Sequence, residues 1–167
     1  MKKNVASCAP VIVPVPGLIV SCRGRDGKNN ALVVGFASNA SIDPPMVMVG
    51  IMPKNHSHGI IKETGAFALN FPAEGFDKEY AYLGSKSGKD VDKFAALNLA
   101  WENGEKLDVP LLSACPVSVE CRVTGSFVAG DHEFFIGSVE VVHCAEEYIG
   151  ENGRVSWGKI SLRVQPV

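Results

Sequence analysis

Five consecutive residues, Lys54-Asn55-His56-Ser57-His58, hold the densest set of groups suited to binding an anion. They follow an apolar run from Met46 to Ile51 and precede a short helical segment that stops at Gly65. A helix N-terminus offers unpaired backbone N–H groups and a partial positive charge. Ser57 adds a hydroxyl, Asn55 an amide and Lys54 a full charge, a set that suits phosphate. The same residues would equally make an N-capped helix with nothing bound, Ser57 being the cap. Upstream, Ser38-Asn39-Ala40-Ser41 reads as a polar turn rich in small hydrogen-bonding residues, which turns favour for their own reasons. That turn lies between two strands expected to end near one rim, where small side chains leave the backbone open to a planar ring. Asn70, at the end of the following strand, could share the rim. Phe36 to Asn70 is therefore read as the cradle of one anionic cofactor.

Other chemistries find less support. His56 and His58 lie two apart with no cysteine or carboxylate at metal spacing. His132 and His143 begin and end one strand, and a satisfied structural histidine is the default reading of each. No Gly-x-Ser-x-Gly elbow occurs, and no Gly-x-Gly-x-x-Gly turn. Gly84 to Lys89 lacks the spacing of a phosphate loop and reads as a mobile polar loop. A net charge of −2 with no basic run argues against nucleic acid. The longest apolar runs are strand-sized, so no membrane span is expected. The five cysteines are odd in number and form no Cys-x-x-Cys, which suits reduced thiols in a cytoplasmic protein. Pro10, Pro14 and Pro16 spoil a signal-peptide core, and no targeting segment is expected. The 167 residues suffice for one domain with a real core.

The elements follow from pattern and punctuation. The prolines make 11–16 extended. Leu18–Cys22 and Ala31–Phe36 flank Asp26-Gly27, which supplies a hairpin turn. Met46–Ile51 shows no alternation, so both its faces should be covered. A helix runs from Ser57 through Ile60 and Ile61 to Gly65, and Ala66–Phe71 is the next strand. Glu79–Leu83 is helical, and Asp90 is expected to cap another helix through Phe94 and Ala96. A small strand is possible at Ala100–Glu102. Val117, Val119, Cys121 and Val123 alternate with polar residues, as in a half-buried antiparallel strand. Ala129-Gly130-Asp131 turns that strand back onto 132–143, and Ile160–Val164 is a last strand. Six or seven strands with hairpin spacing and few helices suggest a closed antiparallel barrel.

Five stretches in this order resemble the flavin reductase-like, FMN-binding split-barrel proteins, near the flavoredoxin branch. They are Phe36–Ile51, His58–Asn70, Gly84–Phe94, Pro110–Val123 and Gly130–Gly137. The resemblance implies a mainly β fold, a six-stranded antiparallel Greek-key split barrel with a few short helices, acting as a homodimer with FMN near the subunit boundary. Carried over residue by residue, Phe36, Ala37, Ser38, Asn39 and Ser41 would face the flavin ring and ribityl chain. Lys54, Asn55, Ser57 and His58 would hold the phosphate, and Asn70 would sit near the ribityl chain or ring. Ser85, Ser87 and Lys89 would cover the pocket. Relatives often carry Arg or Lys beside the phosphate-loop hydroxyl, where this chain has Asn55 and His56. The implied activity is NAD(P)H-dependent reduction of the flavin, with electrons passed to free flavin, a ferric chelate or a small acceptor protein. The cofactor carries the redox chemistry, so no acid–base residue is required. An FMN electron carrier without NAD(P)H activity is the alternative. A pyridoxamine-phosphate-oxidase-like protein is less favoured by the Gly-Lys-Asp-Val-Asp-Lys-Phe segment.

Overall fold

Strand β2 (Leu18–Arg23) is covered on both faces: Leu18, Val20 and Cys22 enter one buried cluster, Ile19 enters another, and Ser21 is fully buried. Two-sided burial of this kind needs layers above and below the sheet. The computed structural model describes Lys3 and residues 12–165, so Cys8 and Val11 fall outside it. β1 (Val15–Pro16) precedes β2, and β3 (Asn29–Val34), β4 (Phe36–Ser41) and β5 (Met46–Ile51) follow. Helix α1 (His56–Thr64) leads to β6 (Ala66–Phe71), and then come α2 (Asp77–Ser85) and α3 (Lys93–Leu97). β7 (Trp101–Asn103), β8 (Pro110–Leu112), β9 (Val117–Ala129), β10 (His132–Cys144) and β11 (Val164–Gln165) complete the order.

Seven strands form one antiparallel sheet in the order β3-β2-β6-β9-β10-β5-β4. It curls into the half barrel of a split-barrel fold. Ile60 and Ile61 of α1 join the main core within the curl. On the other face, Tyr80 and Leu83 of α2 and Phe94 of α3 cover Ile19 and Ala31. Leu107, Val109 and Leu111 cover Ala68 of β6. β1 pairs with β11, and β7 with β8.

Strand β4 corrects the reading of Ser38–Ser41 as a turn. Phe36–Ser41 is an edge strand on β5, not a turn, and its ladder shifts by one residue between Asn39 and Ser41. Small polar residues suit an exposed edge as well as a turn, and pairing with apolar β5 decides between them. The expected half-burial of β9 also fails over its first half. Ser118 and Glu120, the polar partners in the alternation, are buried. Helix α1 begins one residue before Ser57, with Asn55 as its extended N-cap, while Gly65 ends it in the left-handed region at φ 70°. Asp92, not Asp90, caps α3 by accepting from the Ala95 N–H. Asp90 is taken up in a turn instead, its N–H bonded to the Ser87 carbonyl.

Asn70 holds the centre of the sheet. Its Oδ1 accepts from the Leu112 N–H and the Ser118 hydroxyl, each at 2.9 Å. Its Nδ2 donates to Ser21 Oγ at 2.8 Å and to the Ile19 carbonyl. Asn70→Ala strands several buried partners at once. It should lower unfolding stability by about 3 kcal/mol, read as a fall in the urea midpoint at unchanged slope.

Candidate functional site

The start of α1, the loop after α2 and strand β3 enclose a cavity of about 300 Å³. Lys54, Asn55, His56 and Ser57 line it from one side, Ser85, Ser87 and Gly88 from another, and Asn30 and Leu32 from β3. Lys93 closes the back. The α1 N-terminus carries no side-chain cap, so its first N–H groups are left to whatever enters the cavity. Lys54, Asn55, Ser57, Ser85 and Ser87 thus line one cavity.

Two wall residues escaped the sequence reading. Lys93 is buried, and its Nζ donates to the carbonyls of Ala31 and Leu83, both at 2.8 Å. Burial pulls its ammonium down to about 8. Cys22, the titratable group coupled to it, is pushed up to about 12 by burial, so the thiol stays neutral and supplies no counter-charge. Asn30 donates from Nδ2 to Ser57 Oγ at 2.7 Å, while its buried Oδ1 has no partner. A hydroxyl both donates and accepts, so turning the amide over keeps the Ser57 bond and frees the NH2 end as a donor. Gly88 is needed beside it, because a Cβ there would come 2.2 Å from Asn30 Oδ1. Lys93 lay within the Gly84–Phe94 stretch already singled out. Asn30 looked like any residue at the end of a hairpin turn.

The remaining expected residues are distributed differently. Lys89 lines a neighbouring cavity rather than this one. Phe36, Ser38 and Asn39 lie exposed on β4, with Ser41 half-buried at its end, and Ala37 packs on the main core. They line none of the described cavities. Phe36 meets the His132 ring edge-on at 4.7 Å, and His132 Nδ1 lies 2.7 Å from the Asp131 carboxylate. That carboxyl is held low by His132 first and by Lys54 more weakly. His58 points away from the cavity: its Nε2 sits 2.7 Å from the buried Glu133 carboxylate. Bonds from Ser126, His58 and Lys62 hold Glu133 down to about 2. Asn70 belongs to the core network described above, with all its bonds made inside the chain. His143 is likewise engaged, 2.7 Å from Glu120.

The arrangement suits an anion: free N–H groups, hydroxyls, an amide and a buried cation without a carboxylate partner. A phosphate group fits this set of donors. Because protonated Lys93 draws the anion in, affinity should fall as pH rises past about 8. Calorimetry with sulfate, whose own charge is constant there, should show a loss approaching tenfold per pH unit at the steepest. Lys93→Met should bind more weakly and lose that dependence.

Known proteins bear on this site. The family model described as "Flavin reductase like domain" matches residues 12–157. The solved flavoredoxin of Desulfovibrio vulgaris (Miyazaki F) superposes with a TM-score of 0.87 at 26% identity, covering 100% of this chain and 93% of that one. An NADH-dependent flavin reductase from Rhodococcus sp is 29% identical over 119 residues, 71% of this chain and 62% of that protein. An uncharacterized protein from Aeropyrum pernix is 27% identical over 143 residues, 84% of this chain but 53% of its own length. The chain thus spans between about half and two thirds of the length of several curated relatives it matches. With the family model covering most of its length, the chain belongs to the flavin reductase-like family.

Proposed function

We propose that the protein is an FMN-binding oxidoreductase that uses NAD(P)H to reduce the flavin and passes the electrons to free flavin, a ferric chelate or a small acceptor protein. The observation that carries this reading is the cavity where Lys54, Asn55 and Ser57 meet a buried Lys93 that has no counter-ion. Lys93 and the α1 N-terminus would neutralise the phosphate, and Ser57, Asn30, Ser85 and Ser87 would orient it through hydrogen bonds. Phe36, Ala37, Ser38, Asn39 and Ser41 would flank the ring, their backbone on the open edge of the sheet. Bound FMN would supply hydride acceptance from the nicotinamide and release of single electrons. No side chain is given a proton-transfer role. The free thiols Cys22, Cys115, Cys121 and Cys144 suit a reducing, cytoplasmic setting.

A flavoredoxin-like electron carrier without NAD(P)H activity is the second reading. The near-complete mutual coverage with the Desulfovibrio flavoredoxin favours it. One anaerobic experiment separates the two. After FMN is added, a bound-flavin spectrum that bleaches with NADH or NADPH is expected for the reductase. Bleaching with dithionite alone would select the carrier, and no bound flavin would remove both.

The working unit is proposed to be a homodimer. Phe36, Phe127 and Val128 are exposed, Val128 at 70%, and Phe127 stacks on Phe134 at 5.3 Å. This aromatic strip lies beside the β4 rim, and exposed apolar area of this kind marks interaction surfaces. Gel filtration should give twice the chain mass, and Phe127→Asp with Val128→Asp should give the monomer. A wild-type monomer would rule the dimer out.

A further inference from the structure

Helix α1 has only nine residues, a length at which a helix is marginal without tertiary support. Its first turn is weak by residue type, because Asn55 makes no side-chain cap and no acidic residue stands in that turn. Yet this turn brings His56 and Ser57 to the anion cavity. Something outside the helix must hold it.

Glu133 is placed to do so. It sits on β10 opposite Ile51, the last residue of β5, where the chain leaves the sheet toward α1. Its buried carboxylate grips α1 at two points one turn apart. His58 Nε2 lies 2.7 Å and Lys62 Nζ 3.1 Å from the same oxygen. Residues four apart share a helix face. Ser126 of β9 donates to the other oxygen at 2.7 Å and keeps the carboxylate from turning. These bonds keep Glu133 ionised, so His58 Nε2 is the donor. The Lys62 side chain is 62% exposed and adds little, whereas the His58–Glu133 pair is buried. Ser57, next to His58, projects about 100° away around the helix and meets Asn30 at 2.7 Å. The hold on His58 therefore sets where the Ser57 hydroxyl lies.

We propose that Glu133 is a positioning residue of the anion site: by holding His58 it fixes the first turn of α1, and so places the Ser57 hydroxyl and the leading N–H groups against β3 and Lys93. The inference rests on the flavin reading above, with the phosphate in the anion cavity. The sign of the effect separates position from field. Glu133→Gln removes a negative charge beside α1, which by charge alone would tighten an anion. A loosened first turn weakens it.

Fluorescence titrations of the full chain with FMN and with riboflavin, which lacks the phosphate, test this in wild type, Glu133→Gln, His58→Gln and the double variant. Wild type should prefer FMN. Each single variant should bind FMN about tenfold more weakly and riboflavin as before, which also reports an intact fold. The double variant should lose no more than Glu133→Gln, because both changes cut one link. His58→Gln leaves Glu133 its bonds to Lys62 and Ser126, so it decides the matter if Glu133→Gln does not fold. Unchanged or tighter FMN binding in the single variants overturns the proposal and leaves the flavin site standing. Equal losses for FMN and riboflavin overturn it in favour of a general structural role, and additive losses overturn the route through His58. A wild type that binds both flavins alike, or neither, overturns the proposal together with the reading beneath it.

Discussion

The buried ammonium of Lys93 is the constraint on which the anion cavity depends. Taking a charge out of water costs several kcal/mol unless something answers it. Here the answer is two carbonyl dipoles, Ala31 on β3 and Leu83 on α2, reached from the first turn of α3. One cation therefore ties three elements together and defines the back wall. The dipoles lower the cost but do not neutralise the charge, and the depressed ammonium reflects the remainder. Cys22 could have supplied a thiolate, but burial keeps its proton on. Among the described residues no carboxylate pairs with it, and it lines the anion cavity.

Elsewhere the chain leaves little unanswered. Buried Glu120 accepts from three successive N–H groups, those of Glu105, Lys106 and Leu107, and from His143. Burial alone would raise its carboxyl, and these bonds outweigh that and hold it low. A carboxylate in a nest of N–H groups is the same physics as a phosphate at a helix start. In one case the anion is part of the chain, and at α1 the donors face a cavity. Asn70 and Glu133 are saturated in the same way. Against that background Asn30 stands out among the cavity-lining residues, because one end of its buried amide is left without a partner.

The residues differ in how readable they were. Asp26-Gly27 announces the first hairpin because a tight turn needs a positive φ, and Gly27 sits at 79°. Gly65 stops α1 for the same reason. Ser57 and Asn55 are equally good caps by type, so their spacing in sequence could not say which lies inside the helix. Phe36–Ser41 is too polar to read as a strand alone, since its pairing depends on β5, contributed by later residues. Asn70 looked available because strand ends often are, but Ser21, Leu112 and Ser118 reach it from distant segments. Lys93 was hidden by habit: a lysine ahead of an apolar helix normally faces water, and only the fold puts two carbonyls around it.

Hydride transfer to a bound ring asks for orientation and exclusion of water more than for proton carriers. Of its four histidines, His58 and His143 are held against carboxylates inside the fold, while His56 and His132 stand at the rims. The anion cavity is assembled from residues near 30, 55, 85 and 93, segments that meet only when the sheet and all three helices are in place. Such a cavity does not exist in the unfolded chain. An anion that binds there stabilises the fold by mass action. Under the proposed reading, occupancy and architecture are one equilibrium, linked through the charge of Lys93.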